Sequence, residues 1–181
     1  RIKKNSKKIK NYKKDLFWKT TLYRLCNKIE TFEEIGLPSY KKFDPKFFRD
    51  GLKTIYNRGE SIMTSAHLTC PTPKGMKKYE GYMFACFDLF NKLDDLTESV
   101  ENAKEAEDVF NSFKQIHCVG GFTAYEIYCD LCYAKAIPFT TNDFVNVGPG
   151  AKEGIRLLYP STTGLLNIEN RLRQLHGEQH D

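Results

Sequence analysis

The sequence predicts an all-α domain, and three observations carry that expectation. Apolar residues recur at three- and four-residue steps through most of the chain, helix caps and stops fall at the ends of those runs, and no alternating strand pattern persists. At 181 residues, 40% hydrophobic and 28% charged, the chain has the size and composition of one globular domain with a substantial core; a fibre, a disordered tail and a disulfide knot are excluded.

Residues 1–14 hold eight of the 28 basic residues and no acidic one, so the remainder carries 20 basic against 23 acidic residues. This basic segment is expected to be a mobile leader, either solvated or in non-specific contact with phosphates. From Asp15 the residues Trp18, Leu22, Leu25, Cys26 and Ile29 form one apolar stripe, and Gly36 with Pro38 stops that first helix. Asp44-Pro45 is a cap followed by a first-turn proline, with Phe48, Leu52, Ile55 and Tyr56 as the buried stripe of a short helix closed near Gly59. Pro71, Pro73 and Gly75 mark a loop whose Lys74, Lys77 and Lys78 either hold phosphates or are simply solvated. Helices are expected over about 78–93, with Tyr79, Tyr82 and Phe84 in the core, and over 99–115, with Val100, Ala103, Ala106, Val109, Phe110 and Phe113 on one face. The expected organisation is a leader (1–14), a helical domain (15–160) and a C-terminal helix (161–181).

The apolar runs are only a few residues long, against the roughly 20 needed to cross a bilayer, and no signal segment follows the charged start. An intracellular protein without a membrane partner is expected, in the cytoplasm if bacterial or phage and in the nucleus if eukaryotic. A start at Arg1 rather than Met reads as a fragment whose missing part carries further function. Cys26, Cys70, Cys86, Cys118, Cys129 and Cys132 are scattered through a chain that needs no staples, so reduced thiols are expected. Cys129 and Cys132 form a lone CxxC with His117 and Cys118 upstream, short of a regular four-ligand set, and His67 with Cys70 is no better. Neither a metal nor a cofactor is expected.

The segment from Ile116 to Ala124 ends one helix, is expected to turn on Gly120 and Gly121, and starts another at Thr123-Ala124-Tyr125. Glycines let a backbone approach a ligand, and helix-start amides carry the positive dipole end, so such a turn can hold a phosphate. On the following helix Ala124, Ile127, Tyr128 and Leu131 form the packed stripe; Glu126 and Asp130, at i and i+4, are either a carboxylate pair or the wet side. A second glycine segment, Gly148-Pro149-Gly150-Ala151-Lys152-Glu153-Gly154, precedes a helix carrying Ile155, Leu157 and Leu158. It reads as a second phosphate cradle with Lys152 as a point charge, or as a tight interhelical turn.

Val119-Gly120 and Thr123-Ala124, with Asp143 lying 23 positions beyond Gly120, resemble the hairpin and catalytic aspartate of helix-hairpin-helix DNA glycosylases. His117-Cys118 stands where that family has Pro-Gly, and the lysine nucleophile of its bifunctional members has no counterpart. A broader resemblance covers about residues 15–159. The runs 25–32, 120–126, 130–133 and 143–155 are similar to the helical domain of DNA-base hypermodification proteins, the family of the hydroxymethyldeoxyuridine DNA kinases and the alpha-glutamyl/putrescinyl-thymine pyrophosphorylases. The resemblance implies a glycosylase-like, all-α fold that binds double-stranded DNA and addresses a modified pyrimidine of the thymine or hydroxymethyluracil type, with a DNA-base kinase or hydroxylase as partner. No GxxxxGK[ST] motif occurs, so the kinase chemistry is expected elsewhere.

On this reading Asp143 is the catalytic group or the cap of a helix beginning at Phe144, with Asp130 and Glu30 in support. Gly120, Gly121, Thr123, Gly148, Gly150, Lys152, Lys77 and Lys78 bind DNA, and Asn27, Tyr125 and Asn142 line a base pocket. The expected reaction is substitution at the exocyclic methylene of a flipped-out base. The alternatives are cleavage of the N-glycosidic bond and a non-catalytic reader of modified DNA.

Overall fold

A computed structural model describes residues 2–65 and 72–178, in which every regular element is a helix and there is no strand. The helices are α1 (Ile2–Cys26), α2 (Ile29–Ile35), α3 (Pro45–Asn57), α4 (Lys78–Glu101), α5 (Ala106–Phe113), α6 (Gly121–Tyr133), α7 (Pro149–Leu158) and α8 (Leu165–Glu178), with a short 3-10 turn at Tyr40–Lys42. None of them is long and apolar enough to cross a membrane. His67, Cys70 and Pro71 lie outside the described residues.

The two long helices, α1 and α4, pack along each other at the centre. Trp18, Leu22, Leu25 and Tyr82 are fully buried there. Their polar atoms are answered: Trp18 Nε1 donates to the Pro38 carbonyl at 2.9 Å and the Tyr82 hydroxyl to the Leu22 carbonyl at 2.7 Å. Aromatic rings supply the bulk of this core, as they supply large apolar area per residue; Phe43 packs tilted on Trp18 at 4.9 Å and Phe48 lies against both Phe32 and Tyr82.

The expected first helix differs at both ends. It begins thirteen residues earlier than Asp15, because the basic stretch lacks Gly and Pro and lysine is a good helix former. Lys14 pairs with Asp94, and Lys10 with Glu101 at 3.7 Å, both on α4. It also ends earlier: Asn27 takes a left-handed φ of 52°, the chain turns into α2, and Ile29 is 56% exposed rather than part of the stripe. The turn is held by a shared acceptor, the Ile62 carbonyl, which takes bonds from Cys26 Sγ and Thr31 Oγ1 at 2.9 Å each.

Helix α3 follows the sequence closely. Asp44 Oδ1 accepts from the Lys46 and Phe47 amides at 2.9 and 3.1 Å with Pro45 in the first turn. Phe48, Leu52 and Ile55 are buried, whereas Tyr56 sits at the edge against Tyr79. Gly51 permits the crossing with α2: a Cβ there would stand 2.7 Å from Ile35 Cγ2.

Helix α4 runs eight residues past the expected stop, because Leu96 and Val100 continue the stripe of Leu89 and Leu93. The break falls at 102–105, where the Asp108 carboxylate accepts from the Lys104 and Glu105 amides at 2.9 Å. Phe84, expected in the core, is 53% exposed.

Burial also sets the thiols. It pushes both Cys26 and Cys129 up to about 11, so the folded chain keeps protons that the unfolded chain releases, and each raised thiol contributes stability that is lost as pH rises from about 9 toward 11. Two units correspond to about a hundredfold less thiolate. Peptide mass spectrometry after alkylation at pH 8 should find Cys26 and Cys129 modified at least tenfold more slowly in the folded than in the unfolded chain; equal rates would contradict this burial.

Candidate nucleic-acid interface

The turn before α6 is anchored to α4. The His117 amide donates to Asp88 Oδ2 at 2.7 Å, the His117 ring meets the edge of Phe84 at 4.7 Å, and Lys92 Nζ reaches the Gln115 carbonyl at 2.9 Å. The chain reverses at Cys118 (φ 66°), not at the glycines. Burial of Ile116 and Val119 on either side pulls the turn inward at that point. Gly120 is left as the helix cap and Gly121 as the first residue of α6. A Cβ at Gly120 would meet nothing within 4 Å, so the space over the cap is open.

Helix α6 carries the site. Ala124, Ile127, Tyr128 and Leu131 are fully buried, and Thr123 is nearly so. Arg24 of α1 donates to both oxygens of Asp130, at 2.6 and 2.7 Å, and pairs with Glu126 at 3.1 Å. Glu126 and Asp130 are therefore a clamp on a cation 106 residues earlier, neither a bare carboxylate pair nor a solvated face. The hydrogen bonds to Asp130 raise the Arg24 guanidinium further, so it stays charged.

The segment after α6 lies back along it. The buried Tyr128 hydroxyl donates to the Thr140 carbonyl, the Tyr125 hydroxyl to the Phe144 carbonyl at 3.5 Å, and Asn146 Nδ2 to the Gly121 carbonyl at 3.3 Å. The Phe144 ring fills the gap between Phe110, Tyr125 and Tyr128 at 5.0–6.0 Å. Burial holds both tyrosines protonated, Tyr125 pushed up to about 12 and Tyr128 higher still, which keeps them donors.

Asp143 caps no helix at Phe144, since the next helix starts at Pro149. Its Oδ2 instead accepts from Thr140 N at 2.6 Å and Thr140 Oγ1 at 3.0 Å, closing a tight turn on the exposed edge. Asn142 is exposed beside it, its carbonyl in contact with His176 of α8. Gly148 caps α7, and Gly150 lies inside its first turn rather than ahead of it. Lys152 is half-buried one turn in, Ile155 is buried, and Leu157 and Leu158 are exposed.

The fold sets the start of α6 (Gly120, Gly121, Thr123, Tyr125) beside the approach to α7 (Gly148, Gly150, Lys152) through Asn146, while Asn142 and Asp143 stand farther along the same segment, where Thr140 meets Tyr128. Glu30, Asn27, Lys77 and Lys78 stand apart from it. Glu30 is exposed in the first turn of α2, with half-buried Asn27 at the α1–α2 corner. Lys77 and Lys78 are exposed at the start of α4, Lys77 lying over the Tyr56 ring at 5.9 Å. Sequence reasoning missed Arg24, Asp88 and Asn146 as positioning residues; only the i, i+4 spacing of Glu126 and Asp130 hinted that a cation was needed. Among the described residues no group of three or more His, Cys, Asp or Glu is placed to hold a metal ion.

A family model described as "5-hmdU DNA kinase, helical domain" matches residues 2–181. A 5-hmdU DNA kinase of Bacillus phage SP10 is 28% identical over 173 residues, covering 87% of this chain but only 27% of that relative's length. No solved structure matches. With the family match running over nearly every residue of an all-helical chain, this protein belongs to the family of the 5-hmdU DNA kinase helical domain.

Proposed function

We propose that the chain docks double-stranded DNA carrying a hydroxymethyluracil-type base and presents that base, taken out of the stack, for substitution at its exocyclic methylene. The observation that carries this reading is the Asn146–Gly121 bond, which holds the approach to α7 beside the start of α6; Asp143 stands farther along the same segment, where Thr140 meets Tyr128. Two helix starts with glycine caps offer amides and positive dipole ends to the phosphates flanking a base, with Lys152 adding a point charge. The name of the phage relative, a kinase for 5-hmdU in DNA, supports the choice of base. Phosphoryl transfer belongs to a partner, a DNA-base kinase, with a hydroxylase supplying the hydroxymethyl group.

Asp143 is the group suited to take a proton. Thr140 fixes its orientation through Oδ2, while Oδ1 takes no hydrogen bond among the described residues. Once the partner kinase has phosphorylated the hydroxyl, an amine forms its bond to the methylene carbon as the carbon–oxygen bond breaks, the phosphate group leaves with that bond's electron pair, and the amine's proton passes to the free Asp143 oxygen. Asp130 supports the site by holding α6 through Arg24, and Tyr125 and Asn142 flank the base. A non-catalytic reader is the second reading, favoured by the exposure of Asp143 on an open edge.

Nucleoside mass spectrometry of hydroxymethyluracil duplex DNA incubated with the chain and its partner enzyme separates these readings. A new adduct means transfer, and a released base would instead mean glycosidic cleavage. Tight binding with the base unchanged means a reader. For Asp143→Asn, melting should stay within about 0.5 kcal/mol of the parent because an amide oxygen can accept from Thr140 in the same way, while adduct formation falls about a hundredfold; full activity would remove Asp143 from the chemistry. Replacing Gly120 and Gly150 together with leucine should leave helical content intact, since a Cβ at either position meets nothing within 4 Å. DNA affinity should nevertheless drop about tenfold as side chains cover the amides. Unchanged affinity in that folded variant would sink the role of the helix starts.

A further inference from the structure

The carboxyl end of α6 holds an anomaly. Lys135 N–H donates to the Cys132 carbonyl and Ala136 N–H to the Leu131 carbonyl, both at 2.9 Å, a paired closure that sets Lys135 in the left-handed region at φ 52°. Glycine is the usual occupant of that position, because a Cβ is strained there. A lysine gives up backbone stability and places a long cation at the rim of a cavity.

That cavity, about 320 Å³, lies between α1, the end of α4 and this turn. Lys13 and Lys135 stand at it with Glu101, over an apolar lining that includes Phe17, Val100 and Ile137. Glu101 is already answered by Lys10 at 3.7 Å, and the neighbouring Lys14 and Lys19 pair with Asp94 and Asp15. Lys13 and Lys135 have no carboxylate partner among the described residues, so the cavity presents two unanswered cations. Two neighbouring cations are the complement of a backbone phosphate, and the volume is close to that of small-ligand sites.

We infer that this groove is a second nucleic-acid subsite, in which Lys13 and Lys135 clasp a backbone phosphate. The inference rests on the DNA-docking reading and adds a contact on the carboxyl end of α6, opposite the end that carries the glycine cap. A free phosphate has the same chemistry as the phosphate of a strand, and the test separates the two.

Lys135→Gly suits the left-handed backbone and removes the cation, so it divides binding from folding. Its melting temperature should rise by about 2–4 °C. In a salt series with duplex oligonucleotide, the magnitude of its log–log binding slope should fall by about 0.9 and its affinity several-fold, and Lys13→Ala should do the same. A raised melting temperature with unchanged slope and affinity overturns this subsite while leaving the docking reading intact. Failure of the parent chain to bind any oligonucleotide overturns the docking reading and this subsite with it. Loss of inorganic-phosphate binding in Lys135→Gly with DNA affinity unchanged assigns the cations to a free anion and overturns the strand site.

Discussion

The burial of one face of α6 is the constraint on which the rest of the site depends. Ala124, Ile127, Tyr128 and Leu131 have essentially no exposure, so the helix cannot rotate without exposing them. With that face fixed, Tyr125, Tyr128 and Gly121 are presented in register to the segment that follows. Their bonds to Phe144, Thr140 and Asn146 lay that segment down along the helix. Arg24 holds the neighbouring face to α1. With side chains of 23–34% exposure this triad is neither fully solvated nor deeply buried, and its main effect is to fix rotation and register rather than to add much net stability.

Asp143 lies on an exposed turn, and its orientation comes from neighbours tied to buried residues. The carboxylate hangs on Thr140, Thr140 on the Tyr128 hydroxyl, and Phe144, at 7% exposure, pins the next residue into the core. Chemistry on a loop is commonly supported by a rigid element in this way. The same arrangement leaves the outer side of the loop open, as docking to a large partner such as a duplex requires.

How much of this was legible in the sequence depended on how local each cause is. Asp44-Pro45 announced α3 because cap, proline and stripe lie within one segment. The all-α class was legible for the same reason. The break at Asn27 was not, since the apolar spacing continues through it and the decision is made by the Ile62 carbonyl 36 residues after Cys26. The continuation of α1 through the basic stretch was likewise settled by Asp94 and Glu101 on another helix. Arg24 looked like any surface arginine until the fold set it against Asp130. Cys118 took the turning role expected of glycine because its buried neighbours, not its own propensity, fixed the reversal.

The central claim is that α6 serves as the mount for the segment carrying Asp143. Amide hydrogen exchange in Tyr128→Phe tests it most directly, because that change removes one hydroxyl from α6 and keeps the ring that packs on Phe144. The account predicts that the Thr140, Asp143 and Gly148 amides exchange about five- to tenfold faster, as expected for losing one hydrogen bond, while amides in α1, α3 and α4 keep their parental rates. Unchanged exchange at those three amides, or acceleration spread evenly over all the helices, would contradict it.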